Sequence, residues 1–231
     1  MPVVYGLEHC IYIAVSLVTA FVVCFCAHRF VKTEKAQRIM LKIFAGVLLS
    51  IIFINRVVLV FEHGGADWKK MWPDTFCSTS SFVLPLALLL GKKDNDVLHF
   101  IWLIALAGGV ITTFYPDFIG QNESFLYLPT ILGMVHHTVA AILVVVTFMF
   151  GYIRIRYTRW RCTLYGFACY LAYGGFLLTA LKIGNPFYME GPALPNTPLT
   201  VWGIAPIYIV VYATILIVAE LVRKRKLKNK Q

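Results

Sequence analysis

The sequence predicts an all-α, polytopic membrane bundle of about seven helices, with its N-terminus outside and a basic C-terminus in the cytoplasm. Three observations carry that prediction. Hydrophobic residues make up 59% of the 231 positions and charged residues only 14%, with a mean hydropathy of +0.75. A soluble domain of that length would be about half apolar with roughly a quarter of its residues charged, so the bilayer is the only solvent that can cover this surface. Apolar runs of about 20 residues, the length that crosses a bilayer, recur along the chain. Lysine and arginine fall in alternate loops, as they do when basic loops stay in the cytoplasm.

The runs give seven spans in order: Leu7 to Ala27, Leu41 to Phe61, Pro73 to Leu90, Val97 to Tyr115, Pro129 to Tyr152, Cys162 to Lys182, and Thr200 to Val222. The third is the shortest and is diluted by Ser78, Ser80, Ser81 and Pro85. The spans use up most of the chain. Residues 1–231 therefore read as a single transmembrane domain with no soluble catalytic domain, linker or repeat.

Orientation follows from charge. The first loop holds Arg29, Lys32, Lys35, Arg38 and Lys42, and the third holds Lys92 and Lys93. The fifth holds Arg154, Arg156, Arg159 and Arg161, and the tail holds Arg223, Lys224, Arg225, Lys226, Lys228 and Lys230. Seventeen of the 21 basic residues thus lie on one face. The other face has Lys69, Lys70 and Lys182, with Arg56 inside the second span. Six spans would break the alternation. The net charge of +10 is a topology signal, and no basic and aromatic surface stands apart from these loops to bind nucleic acid. Positive residues follow the first span instead of preceding it, so it reads as an anchor and not as a cleaved signal peptide.

The six cysteines form no C-x-x-C and no disulfide or metal pattern, and no cofactor is expected. Cys10, Cys24, Cys26, Cys162 and Cys169 read as small apolar residues. Cys77 differs because polar groups gather around its depth, and polar groups inside spans are costly and therefore informative. Asn55 and Arg56 lie near the outer end of span two, Asp74 and Cys77 at the start of span three, and Tyr115-Pro116-Asp117 at the end of span four. His136 and His137 lie in span five, and Lys182 and Asn185 at the end of span six. The inner half of the membrane carries almost nothing comparable. With a rise of 1.5 Å per residue, Cys77 lies ~6 Å below Pro73 and His136 ~10 Å below Pro129, so the two side chains can meet. Cys77 also falls in the first turns of a helix, where the positive helix end stabilises a thiolate, and Asp74 and Ser81 would share its face at i−3 and i+4. Arg56 could equally serve as structural glue with Asp74, Asp117 or Glu62.

These residues resemble the signatures of the YwaF-like bacterial membrane proteins. Trp72-Pro73-x-x-x-Cys77-Ser78 resembles that family's Leu-Pro-Leu-His-Leu-Cys-Ser. Tyr115-Pro116-Asp117 resembles its Pro-Asp, and His136-His137 falls where the family has an intramembrane histidine. Asn185-Pro186-Phe187-Tyr188, Pro195 to Pro198, and Ala205-Pro206-Ile207-Tyr208 resemble its last outer loop and final span. Thr75 stands where the family has a histidine two residues before the cysteine. The family is related to a eukaryotic transmembrane acyltransferase that uses one cysteine and one histidine. The resemblance implies an acyltransferase of membrane lipids in a bacterial plasma membrane, with Cys77 as nucleophile and His136 or His137 as base.

The residues fit that chemistry. Acyl transfer needs a nucleophile, a base and a donor to the oxyanion. Cys77 can attack a lipid ester and a span-five histidine can move protons, while Arg56 or Lys182 holds the phosphate among Asn55, Asp74, Asp117 and Asn185. A small-solute transporter would need polar residues along the inner half, which are few. A haem or metal site would need histidines at matched depths, and His9, His63 and His99 are scattered. A non-catalytic accessory protein of another membrane complex is the third rival.

Overall fold

A computed structural model describes residues 4–62, 64–116, 125–193 and 196–228. Among the described residues the regular structure is entirely helical: α1 (Leu7–Phe30), α2 (Glu34–Phe61), α3 (Phe76–Leu90), α4 (Asp96–Phe114), α5 (Leu128–Met149), α6 (Trp160–Thr179) and α7 (Val201–Lys228), with short 3-10 turns between some of them. The order and places of the helices follow the seven apolar runs. Six of the seven are long and apolar enough to cross a membrane, and the protein is an integral membrane protein. The exception is α3, whose 15 residues extend about 22 Å against a hydrocarbon core of about 30 Å.

The chain forms two compact units. The first contains Met1–Pro73 and Cys77–Ile153, and the second Asp74–Phe76 and Arg154–Gln231. In the first unit α5 is the hub, packing on α4, α2 and α1, and α4 is the other deeply buried helix. Its buried positions include Leu98, Ile101, Trp102, Ala105, Gly108, Gly109 and Thr112, and it packs on α5 and α1. By contrast α1 exposes Leu17, Val18, Phe21 and Phe25. That helix is apolar all round because its outward face meets lipid and not water.

Contacts at the two ends of this unit fix the direction of each helix. At one end the Tyr127 hydroxyl donates to Glu62 at 2.6 Å, joining the start of α5 to the end of α2. The same end joins His9 of α1 to the Thr113 carbonyl of α4. At the other end Lys93, just past α3, pairs with Glu34 at the start of α2, at 3.2 Å. The Asp94 N–H donates to the Tyr152 carbonyl past α5. Short as it is, α3 therefore finishes on the face where α2 and α4 begin. This matches the face that collects the basic loops. Reporter fusions after Lys93 and after Arg159 are expected to read cytoplasmic, and an external reading at either would overturn the seven-span arrangement.

Span three begins later than the sequence suggests. Pro73, Asp74 and Thr75 lie outside the helix. Pro73 has no N–H to give, and the Asp74 carbonyl accepts the Phe187 N–H at 2.7 Å instead of entering a helical ladder. Asp74 therefore does not share a helix face with Cys77, as i−3 spacing had implied.

The second unit is organised around Phe187, 1% exposed. Its ring lies 5.2 Å from Phe76, 5.0 Å from Tyr170 and 5.8 Å from Tyr173. Asn185, Phe187 and Tyr188 all adopt left-handed backbone conformations, with φ of 51°, 53° and 61°, which cost energy for residues other than glycine. The aromatic packing and two hydrogen bonds from the Glu190 and Gly191 N–H groups to the Asn185 Oδ1 hold that loop in place.

Candidate functional site

Cys77, His136, His137, Arg56 and Asn55 all belong to the first unit, on α3, α5 and α2. Cys77 is the second residue of α3, at the turn whose backbone N–H groups lack intrahelical partners. Its sulfur packs against Gly108 of α4. A β-carbon at that glycine would lie 2.7 Å from Sγ and 3.3 Å from the Cys77 Cβ. The next residue, Gly109, faces the other neighbour: a β-carbon there would collide with the His137 carbonyl oxygen and lie 2.7 Å from the Ala141 Cβ. Adjacent α-carbons are about 3.8 Å apart, so two consecutive glycines set the thiol and the histidine backbone at one level of α4. No hydrogen bond joins the Cys77 thiol to either imidazole. This Gly108-Gly109 pair is the part of the site that sequence reading missed. The signal was present as a double glycine in the middle of an apolar span, where small residues permit close helix approach.

His136 and His137 are buried, 5% and 8% exposed, with ring centroids 4.2 Å apart. The His136 Nδ1 lies 2.9 Å from the Leu132 carbonyl. A carbonyl can only accept, so Nδ1 carries the proton and the neutral ring keeps its acceptor at Nε2. His9 makes a useful contrast. Its Nδ1 accepts the Tyr5 N–H at 3.0 Å and its Nε2 donates to the Thr113 carbonyl at 3.0 Å, so both ring nitrogens are committed to structure. His99 pairs with Asp94 at 2.8 Å.

Arg56 is 9% exposed. An arginine inside a span costs free energy, up to about 3 kcal/mol at the helix centre on insertion scales and less toward the outer end, where Arg56 lies. Part of that is offset by a 3.2 Å hydrogen bond from Nη1 to the Lys70 carbonyl. Asn55 is 6% exposed, and its side-chain oxygen is buried with no hydrogen-bond partner among the described residues.

A hydroxyl chain runs beside the histidines. Thr113 donates to the Gly109 carbonyl at 2.8 Å. Its single proton is then used, so Thr138 donates to Thr113 at 2.9 Å and Tyr12 donates to Thr138 at 2.6 Å. Thr138 and Thr113 also line a cavity of about 310 Å³ between α1, α4 and α5. Apart from these hydroxyls and Ser16, its walls are mostly apolar, including Leu17, Phe21, Val110 and Val145.

The other sequence candidates sit elsewhere. Asp74 and Asn185 belong to the second unit, where the Asp74 carbonyl and the Asn185 side chain bind the 185–191 loop. Lys182 is exposed in that unit with φ of 53°. Asp117 and His63 lie outside the described residues. Among the described residues no group of three or more His, Cys, Asp or Glu side chains could hold a metal ion.

The fold and this cluster define a polytopic helical membrane protein with a thiol, two imidazoles and a guanidinium placed inside one helical unit. The chain belongs to the TMEM164 family, whose pattern it matches over residues 4–222. No curated protein and no solved structure matches it.

Proposed function

We propose that the protein is an acyltransferase of membrane phospholipids in a bacterial plasma membrane, with Cys77 as nucleophile and His136 as base. The observation that carries this reading is the pair of glycines that holds the Cys77 sulfur and the His137 backbone on adjacent residues of α4. The resemblance of the cysteine and histidine positions to those of YwaF-like proteins and of the related eukaryotic acyltransferase supports it. Of the two imidazoles, only His136 has a proton fixed by a backbone carbonyl, the arrangement that orients a catalytic histidine.

In the first half-reaction the Nε2 of His136 takes the thiol proton as sulfur attacks the ester carbonyl of a phospholipid. The carbon–oxygen bond breaks, the proton passes to the departing glycerol oxygen, and a lysophospholipid leaves with the acyl chain held as a thioester on Cys77. In the second half the hydroxyl of another lysophospholipid attacks the thioester. His136 takes its proton and returns it to sulfur. Arg56 supplies positive charge for the lipid phosphate, and backbone N–H groups at the start of α3 serve the oxyanion. The cavity that begins at Thr138 and reaches Val145 runs along about 10 Å of α5 and suits the first part of an acyl chain.

The test uses the full chain in liposomes with a phospholipid donor and an isotope-labelled lysophospholipid. The expected result is labelled diacyl lipid and a hydroxylamine-sensitive acyl adduct on the Cys77 peptide, both abolished by Cys77→Ala. Transfer that persists in Cys77→Ala, or a wild type with neither product, overturns the reading.

A further inference from the structure

We propose that the groove between α6 and α7 is a separate binding site for one anionic glycerophospholipid, taken from the leaflet on the basic face. The groove has a volume of about 250 Å³ and is walled by Tyr157, Trp160 and Leu164 on one side and by Ile209, Leu216 and Ile217 on the other. All of these residues lie within the second unit, and the end of the groove at Tyr157 lies where the turn before α6 packs on α7.

Two independent features point to the occupant. Thr163 lines the groove, is 3% exposed, and its hydroxyl is buried with no hydrogen-bond partner among the described residues. A buried hydroxyl without an acceptor carries a desolvation penalty that a ligand carbonyl would relieve, and a turn about χ1 is all that threonine needs to offer it. The second feature is charge. Arg154, Arg156, Arg159 and Arg161 cluster at the start of α6, and no acidic residue occurs from Arg154 to Met189. The Arg161 guanidinium lies 5.6 Å over the ring of Trp160, itself a groove wall, and Arg156 and Arg161 are exposed.

The levels match a phospholipid. Thr163 is about 4.5 Å further into the helix than Trp160, the step from a phosphate to the first ester carbonyl. Ile217 to Ile209 covers about 12 Å of α7, room for the upper half of an acyl chain. Arginine takes the phosphate, Thr163 donates to the ester, and the aliphatic walls hold the chain. A free phosphate would use the arginines but nothing below them.

The experiment is native mass spectrometry of the full chain in detergent, titrated with dioleoylphosphatidylglycerol or dioleoylphosphatidylethanolamine. Wild type is expected to bind one phosphatidylglycerol about tenfold more tightly than phosphatidylethanolamine, and the double variant Arg156→Gln/Arg161→Gln to lose that preference. Thr163→Val should weaken both lipids about threefold, with Thr163→Ser restoring them. Ala213→Trp, which fills the groove, should remove the tight site, with thermal melting of each variant confirming the fold. Equal binding of the two lipids overturns the proposal, as does unchanged phosphatidylglycerol binding in Ala213→Trp or failure of Thr163→Ser to restore it. Displacement of the lipid by millimolar inorganic phosphate would also overturn it, since the basic loop alone would then account for binding.

Discussion

His136→Ala is expected to lower acyl transfer at least about 100-fold, while His137→Phe leaves it within about tenfold of wild type. The lower bound comes from the usual worth of a positioned general base. The asymmetry comes from local geometry. His136 has its Nδ1–H fixed on the Leu132 carbonyl at 2.9 Å, so the same nitrogen is always the acceptor and no population is lost to the wrong tautomer. His137 makes no such bond, and its contribution is the ring packed 4.2 Å from His136, a role that phenylalanine can fill. The measurement is the initial rate of labelled diacyl lipid formation in liposomes, with the acyl adduct on Cys77 read in parallel. Loss of the base should suppress formation of the adduct as well as its turnover. If His137→Phe is silent and His136→Ala falls to background with no adduct, the assignment stands. If His137→Phe is the damaging change and His136→Ala is tolerated, the base is the other histidine. Tolerance of both would remove histidine from the reaction.

The helices were legible because the bilayer imposes one simple demand. Each crossing must be an apolar run of about 20 residues, and Leu7–Phe30, Leu128–Met149 and Val201–Lys228 follow from that demand alone. The candidate cluster was legible for the converse reason: Arg56, His136 and His137 break apolar runs where a polar group is costly. What escaped depends on tertiary contacts that composition does not carry. The late start of α3 is set by a hydrogen bond from Phe187, more than a hundred residues away, to the Asp74 carbonyl. Asn185 reads as a polar group at the membrane surface, but its oxygen is taken up by two N–H groups of its own loop. The sequence offered His136 and His137 as equals, and only the Leu132 contact separates them. Gly108 and Gly109 were passed over because glycine carries no chemistry of its own. Their importance lies in what they allow to come close.

That closeness gives the second large effect. Gly109→Ala is expected to destabilise the protein by several kcal/mol, at or above the usual 1–3 kcal/mol for overpacking a tight core. Gly108→Ala should fold yet lose most of its activity. The added methyl at Gly109 would run into the His137 carbonyl oxygen and meet the Ala141 Cβ at 2.7 Å. The first of these is main chain inside α5, and it cannot move without parting α4 from α5, the most extensive helix contact in the first unit. At Gly108 the nearest atom is the Cys77 sulfur, 2.7 Å from the new methyl. A cysteine side chain can turn away about χ1, so the helices stay packed while the thiol leaves its place. Gly46→Ala and Gly175→Ala are the controls, because a β-carbon at either position meets nothing within 4 Å. The measurements are thermal unfolding in detergent and transfer activity in liposomes. The controls should match wild type in both, Gly109→Ala should fail in both, and Gly108→Ala should melt within a few degrees of wild type with its activity reduced at least about tenfold, the cost of a small misplacement of a reacting group. Full activity in Gly108→Ala would mean that the position of the Cys77 sulfur against α4 has no part in catalysis.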